Sequence, residues 1–287
     1  MNFAGKIVDL ETPKVMGVLN VTPDSFSDGG ELLLDSGKLS IDKALQRAEV
    51  MYEAGATFID IGGESTKPGA LDISLEEEMA RVLPLVEKIR NNIDIIVSID
   101  TSSPELMLEG AKSGAGLIND VRALQRPGAV EAVSKTKLPV CLMHMQGTPA
   151  TMQEAPSYAH LIDEILQFLE DRISACINSG VDRNQIIIDP GFGFGKTLEH
   201  NLDLLGRLHE LKALKFPLLI GLSRKAMLGL ITGKRVKQRQ AAGISAAVIG
   251  LMQGVNIIRT HDVAETVDAI KVYLAVKNNE LKLDLSN

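Results

Sequence analysis

Carboxylate and amide side chains stand where several short apolar runs of this sequence end. Asp100 closes the run IIVSID, Asn119 lies in GLINDV, and Asp189 closes IIID. Such oxygens accept hydrogen bonds and suit a flat ligand that is rich in N–H donors. Because a buried carboxylate is costly without a partner, these residues predict a ligand with an amidine- or guanidine-like edge.

A second set of residues in equivalent places is basic. Arg224 and Lys225 follow the run PLLIGLS, and Arg259 and His261 end the run NIIRTH. Clustered cations of this kind bind phosphate or pyrophosphate. The amide of Asn20 is a hard oxygen ligand for Mg²⁺, which needs few protein ligands when phosphates and waters complete its octahedron. The two sets together predict a site for a flat heterocycle that carries a phosphorylated group.

Residues 193–197, GFGKT, resemble a nucleotide-binding phosphate loop only superficially. That loop requires a glycine five residues before its Gly-Lys-Thr, and this chain has Pro190 there. Proline also lacks the N–H that an anion nest would use. We therefore expect Lys196 to be a solvated or locally hydrogen-bonded lysine, with no phosphate to bind.

The elements that must position these residues alternate along the whole chain. Near-continuous apolar runs, typical of strands covered on both faces, are separated by amphipathic helical stretches. Ser74 begins one of these helices, and glycines at positions 55, 114, 180 and 254 end others. The predicted strands are residues 15–21, 57–63, 95–101, 116–121, 139–145, 186–191, 217–223 and 256–261.

Eight strand–helix units in a chain of 287 residues predict an α/β fold of the (β/α)8 TIM barrel type. We expect one domain over residues 1–287, with residues 1–14 as a lead-in segment at the base of the barrel. In this fold the carboxyl ends of all strands converge on one face, where active sites are built. The polar strand ends should therefore meet there.

Composition narrows the classes of function. The net charge of −7 gives no global field that favours nucleic acid or an anionic membrane. Cys141 and Cys176 lie in apolar and helical patterns, which predicts two buried, reduced thiols in a cytoplasmic protein. The first residues lack the apolar core of a secretion signal, and the longest apolar run, residues 241–252, is too short to span a membrane.

Eight stretches, in order and over nearly the whole chain, resemble the dihydropteroate synthase family. They are MGVLNVTPDSFSDGG at 16–30, DIGGESTKPGA at 60–70, SIDTS at 98–102, INDV at 118–121, LMHMQGTPATMQ at 142–153, DPGFGFGK at 189–196, GLSRKAML at 221–228 and IIRTHDV at 257–263. The resemblance implies a pterin-binding barrel of folate biosynthesis. Its reaction joins 6-hydroxymethyl-7,8-dihydropterin pyrophosphate to 4-aminobenzoate and releases pyrophosphate.

The resemblance also implies roles for individual residues. For the pterin it implies Asp100, Asn119, Met143, Asp189, Gly221, Lys225 and Arg259. For the pyrophosphate it implies Asn20, Thr66, Arg259 and His261, with Mg²⁺ on Asn20. For 4-aminobenzoate it implies Phe26, Pro68, Phe194, Ser223 and Lys225. The implied catalytic residues are Asp24, Asp100, Asp189, Lys225, Arg259 and His261. A homodimer and inhibition by sulfonamides follow from the same resemblance.

Residues 21–39 form a connection that is longer than the usual ~2–6 residues. This length predicts a lid that includes Asp24 and Phe26. Lys67 stands where the family most often has arginine, so the planar guanidinium group that can bind two oxygens at once is missing from that position.

Two other functions remain open. One is the related methyltetrahydrofolate-binding methyltransferase barrel, which has no need of the basic cluster. The other is a pterin-binding protein without catalytic activity.

Overall fold

A computed structural model of the chain describes residues 1–22, 39–65 and 73–278. Its main feature is a ring of eight parallel strands, in which each strand pairs with its neighbours in chain order. A bridge between Ile188 and Leu218 joins the sixth and seventh strands in chain order and closes the ring. The strands are β3 Lys14–Asn20, β4 Phe58–Gly62, β5 Ile96–Asp100, β6 Leu117–Asp120, β7 Val140–Met143, β8 Ile186–Asp189, β9 Leu219–Gly221 and β10 Ile257–Thr260. All eight predicted strands are confirmed.

Helices follow the strands and cover the outside of the ring. Ser40 and Ser74 begin two of them, with each side chain accepting a hydrogen bond from a backbone N–H three residues later. The four glycines predicted to end helices all have positive φ. The described helices are α1 Ile41–Glu53, α2 Leu75–Asn92, α3 Pro104–Lys112, α4 Ala129–Thr136, α5 Leu161–Asn178, α6 Leu198–Gly206, α7 Ala226–Thr232, α8 Gln240–Met252 and α9 Val263–Asn278. The fold is the (β/α)8 TIM barrel that the alternation predicts.

A short antiparallel hairpin, β1 Asn2–Phe3 and β2 Lys6–Ile7, precedes the ring. Phe3 is buried, and its ring meets the ring of Phe58 edge-on at 5.0 Å between centroids. This pair belongs to an apolar cluster that includes one residue from the first half of every barrel strand. The amino-terminal end of the barrel is therefore filled by side chains, which leaves the opposite end for a ligand.

Two predictions from composition can be compared with the structure. Cys141 and Cys176 are buried free thiols, as predicted. No helix in the three described ranges is both long and apolar enough to cross a membrane.

Candidate active site

The alternation of side chains along each strand determines which residues point into the carboxyl-terminal end of the barrel. Side chains two residues apart share a face. Each strand contributes one residue to the apolar cluster at the amino-terminal end of the barrel. The residue two positions later in the same strand therefore lies above that residue, on the same inner face. Leu117 is thus followed by Asn119, Ile187 by Asp189 and Ile257 by Arg259.

The register of the strands brings these residues to similar heights. Asp100 of β5 lies opposite Asn119 of β6, and Met143 of β7 lies opposite Asp189 of β8. Gly221 of β9 pairs with Arg259 of β10 in the same way. Residues that are far apart in the sequence therefore form one continuous ring of side chains.

These side chains line a cavity of about 650 Å³ at the carboxyl ends of the strands. The volume is in the range of pockets that bind small molecules. Every predicted site residue in the described part of the chain lines it: Asn20, Asp100, Asn119, Met143, Asp189, Phe194, Gly221, Ser223, Lys225, Arg259 and His261. The remaining predicted residues, Asp24, Phe26, Thr66 and Pro68, lie outside the described residues, as do Lys67 and the predicted lid except for its ends.

Asp60 organises the floor of this cavity, and the sequence analysis did not select it. Its side chain is fully buried in the middle of β4. One carboxylate oxygen accepts hydrogen bonds from Arg259 Nε at 2.6 Å and Asn119 Nδ2 at 3.0 Å, while the other accepts from Ser98 Oγ at 2.5 Å. A lone aspartate inside the apolar run FIDIG was the available signal, because a buried carboxylate requires partners. Asp60 holds two of the predicted ligand-binding side chains in place.

The two predicted acids at the cavity wall have raised pKa values. Asp100 and Asp60 share the guanidinium of Arg259, whose Nη2 lies 3.1 Å from Asp100 Oδ2. Burial, together with the charge of Asp60, raises the pKa of Asp100 to about 8. Burial also raises the pKa of Asp189 to about 6, against the effect of the Gly191 N–H, which donates to Asp189 Oδ1 at 2.7 Å. Both acids therefore favour a ligand that brings N–H donors or positive charge.

Lys225 and Arg259 supply positive charge to the same cavity, with the Arg259 guanidinium paired to Asp60 and Asp100. The Lys225 ammonium lies 4.2 Å from the centre of the Phe194 ring, within the range of a cation–π contact. Burial lowers the pKa of Lys225 to about 8, whereas Asp189 favours its charged form. Lys225 is thus a cation near pH 7 that lies between the acidic wall and an aromatic surface.

His261 differs from the prediction that it belongs to the cationic half. Burial and the nearby cations Arg224 and Arg259 lower its pKa to about 3, so the imidazole is neutral near pH 7. Its Nδ1 lies 3.1 Å from Ser223 Oγ. Arg224 forms an ion pair with Asp262 at 2.8 Å. The electrostatic environment of the folded protein therefore determines the charge of His261.

Lys196 was predicted to be either solvated or locally hydrogen-bonded. The structure shows the second alternative. Only 3% of it is exposed. Its ammonium lies 2.9 Å from His144 Nδ1 and donates to the carbonyl oxygens of Gly191 and Phe194 at 3.0 and 3.1 Å. The loop that contains GFGKT therefore turns carbonyl oxygens of Gly191 and Phe194 toward a cation, whereas a phosphate loop surrounds an anion with N–H groups. The prediction that this segment is not a phosphate loop agrees with this geometry.

Comparisons with known proteins agree with this site. Residues 16–261 match the family model described as pterin binding enzyme. The dihydropteroate synthase of Escherichia coli (strain K12) is 49% identical over 279 residues, which are 96% of this chain and 97% of that protein. The dihydropteroate synthase of Haemophilus influenzae is 48% identical over 95% of this chain and 97% of its own length.

Solved structures lead to the same family. A Yersinia pestis dihydropteroate synthase in complex with a sulfonamide drug has a TM-score of 0.93 and 49% identity, and the match covers 97% of this chain and 99% of that chain. The Xanthomonas albilineans dihydropteroate synthase in complex with 7,8-dihydropteroate has a TM-score of 0.85 and 41% identity, over 96% and 97% of the two chains. The chain therefore belongs to the pterin-binding enzymes and, among them, to the dihydropteroate synthases.

Proposed function

We propose that the cavity condenses 6-hydroxymethyl-7,8-dihydropterin pyrophosphate with 4-aminobenzoate to give 7,8-dihydropteroate and pyrophosphate. One observation carries the proposal: an acidic wall and a basic wall line the same cavity in a member of this family. The acidic wall contains Asp100, Asn119 and Asp189, and the basic wall contains Lys225 and Arg259. A ligand with N–H donors at one end and a diphosphate at the other matches both walls.

The acidic wall would bind the pterin ring. Asp100 and Asp189 accept hydrogen bonds from the donor edge of the heterocycle, and the raised pKa values of both acids fit a ligand that supplies these donors. Met143 and the side chain of Arg259 border the ring, with Gly221 beside Arg259. Asn119 is held by Asp60 in one orientation, since its Nδ2 donates to that carboxylate.

The basic wall and Asn20 would bind the diphosphate and Mg²⁺. The amide oxygen of Asn20 and the carboxylate of Asp100 flank Gly62, where an added Cβ would lie 3.2 Å from Asn20 Oδ1 and 3.9 Å from Asp100 Oδ2. Within the described ranges, no group of three or more His, Cys, Asp or Glu side chains forms a metal cluster. The donor set fits Mg²⁺, which is commonly held by one or two protein oxygens and by substrate phosphates. When bound, Mg²⁺ neutralises charge on the diphosphate.

The chemistry requires little activation of the nucleophile, because an arylamine is neutral near pH 7. The bond between the pterin methylene carbon and the bridging oxygen breaks, and its electron pair leaves with pyrophosphate. The amine nitrogen then attacks the methylene cation and releases one proton. Asp100 and Asp189 would stabilise the cationic ring, Arg259 would stabilise the charge on the leaving group, and the neutral imidazole of His261 would donate a hydrogen bond to it from a ring N–H.

Phe194, Ser223 and Lys225 would form the described part of the 4-aminobenzoate site. All three line the cavity, and the Lys225 ammonium lies over the Phe194 ring, where it can also attract a carboxylate. Because sulfonamides imitate 4-aminobenzoate, they should compete at this place. The proposal extends to Thr66, Pro68, Asp24 and Phe26 from the family resemblance alone.

A pyrophosphate-release assay tests the proposal. Release should require both substrates and Mg²⁺, and it should stop when any one of them is omitted or when the metal is chelated. Sulfamethoxazole should raise the apparent KM for 4-aminobenzoate without lowering kcat at saturating substrate. Turnover without 4-aminobenzoate, or with methyltetrahydrofolate in place of the pterin pyrophosphate, would refute the assigned reaction.

A homodimer and a cytoplasmic location form part of the same proposal. Large apolar side chains are exposed on consecutive helices: Leu230 and Ile231 on α7, Ile249 and Met252 on α8, and Val272 and Val276 on α9. Exposed apolar patches of this kind mark interaction surfaces. Light scattering on a size-exclusion column should give about twice the 30.9 kDa mass of the chain. The buried free thiols support a reducing compartment.

A further inference from the structure

The buried ammonium of Lys196 is the most unusual charged group outside the proposed ligand contacts. It has three contacts, to the Nδ1 atom of the His144 imidazole and to two backbone carbonyl oxygens, and none of these groups carries a negative charge. Burial and the charge of Lys225 disfavour the ammonium, whereas Asp189, among the described residues, supports it from a distance. A buried cation with no directly bonded anion costs free energy, and a functional role for its contacts would account for its presence. The contacts show what that function is.

Lys196 connects the two ends of the segment that carries Phe194. The carbonyls of Gly191 and Phe194 belong to one loop after β8, whereas His144 belongs to the loop after β7. The Lys196 side chain thus forms two hydrogen bonds within the loop after β8 and one contact with the loop after β7. Close backbone approaches accompany these bonds: a Cβ at Gly191 would lie 1.9 Å from His144 O, and one at Gly195 would lie 2.5 Å from Gln146 O.

Other bonds hold the same loop from outside. Gln153 Nε2 donates to Gly193 O at 2.6 Å, and Tyr158 Oη donates to Gly195 O at 2.7 Å. Both donors come from the segment between β7 and α5. In contrast with these two residues, Lys196 bonds directly to the carbonyl of Phe194 itself. Lys196 therefore holds the Phe194 carbonyl directly, alongside the bonds that Gln153 and Tyr158 make to the residues on either side of it.

This position matters because the Phe194 ring is one wall of the cavity. The ring borders Lys225, whose ammonium lies 4.2 Å from its centre. The same loop supplies the Gly191 N–H that donates to Asp189 Oδ1. Three glycines with positive φ, at positions 191, 193 and 195, make this backbone costly to order without fixed partners. If this loop were not ordered before the substrate binds, the free energy needed to order it would weaken binding.

We infer that Lys196, through His144 and the carbonyls of Gly191 and Phe194, is a positioning residue that preorganises the arylamine side of the cavity. The inference rests on the proposed assignment of Phe194 to 4-aminobenzoate. Lys196 also lines the cavity, and in this proposal it acts through its bonds to the protein. Lys196 affects catalysis because it positions the Phe194 ring. We therefore expect it to change the affinity for 4-aminobenzoate.

Steady-state kinetics on Lys196→Met tests this inference. The KM for 4-aminobenzoate should rise at least about tenfold, and the KM for the pterin pyrophosphate should change less than about threefold. A purely structural lysine would lower the melting temperature and the amount of active enzyme, and both KM values would stay within about twofold of wild type. That second pattern would overturn the inference.

A second variant covers the case in which Lys196→Met does not fold. His144→Phe keeps a ring but removes the nitrogen that contacts Lys196, and it leaves the two carbonyl bonds within the loop intact. It should raise the KM for 4-aminobenzoate about threefold, and an unchanged value would overturn the inference as well. Lys112→Met, the same substitution at an exposed helical lysine, is the matched control and should change neither KM.

Phe194→Leu separates the inference from the proposed function on which it rests. If Phe194→Leu leaves the KM for 4-aminobenzoate unchanged, the assignment of Phe194 fails, and the inference about Lys196 fails with it. If Phe194→Leu raises this KM and Lys196→Met does not, the proposed function stands and the inference alone is wrong. Increases in both variants support both statements.

Discussion

Replacing Asp189 by asparagine removes the charge of this side chain and preserves its shape. Asp189 is 6% exposed, and its Oδ1 accepts the Gly191 N–H at 2.7 Å. The asparagine carbonyl should keep that bond, so its NH₂ group would take the place of Oδ2. A donor would then face the donor edge of the pterin. Loss of one such charged group aimed at the reacting ligand costs about 3–4 kcal/mol, or roughly 100- to 1,000-fold in kcat/KM.

The same substitution should not destabilise the protein, and this separates lost function from misfolding. Burial raises the pKa of Asp189 from 3.8 to about 6, so the folded protein binds this proton more tightly than the unfolded chain does. The carboxyl therefore contributes its full stability below pH 3.8 and loses it as the pH rises through about 6. At pH 7.5 the ionised form costs on the order of 2–3 kcal/mol, which neutral asparagine avoids.

Two measurements decide this prediction. The pyrophosphate-release assay gives kcat/KM for the pterin substrate, and thermal unfolding at pH 7.5 gives the melting temperature. We expect a fall of at least about 100-fold in kcat/KM together with an equal or higher melting temperature. A kcat/KM within about fivefold of wild type would refute the assignment of Asp189 to the ligand. A large drop in melting temperature would refute the electrostatic reasoning.

Asp60→Asn should lower the free energy of unfolding by about 3–5 kcal/mol, because it breaks the buried pair with Arg259, and a urea-unfolding loss below about 1 kcal/mol would contradict this. Gly191→Ala should sharply reduce the yield of folded protein, since its φ is +70° and a Cβ would lie 1.9 Å from a backbone oxygen. Gly206→Ala, with open space around it, is the control and should fold normally. The pKa of His261 is lowered from 6.5 to about 3, so its contribution to stability is present above pH 6.5 and is lost as the pH falls toward 3. Between pH 7 and pH 5 wild type should therefore lose about 2 kcal/mol more than His261→Gln in urea unfolding, and equal losses would show that this histidine is not buried in neutral form.

The sequence by itself determined the architecture and the composition of the cavity wall. Apolar runs of strand length, separated by helical patterns, specify a closed parallel ring whose carboxyl ends meet. Asp100, Asn119 and Asp189 therefore had to converge on one end of the barrel. Their identification as a pterin site also came from motifs in the sequence, which the comparisons confirm at the level of the family.

Only the tertiary structure decided which partners the charged groups have and which protons they hold. Asp60 bonds to Arg259, 199 residues away, and Lys196 bonds to His144, 52 residues away. The neutrality of His261 depends on burial, on Arg224 from the loop after β9 and on Arg259 of β10. Local sequence patterns report periodicity and turn chemistry, whereas a pKa depends on desolvation and on charges brought close by the closed barrel. The residues that line the cavity could therefore be predicted from the sequence, whereas the role of Asp60, which holds Arg259 and Asn119 in place, could not.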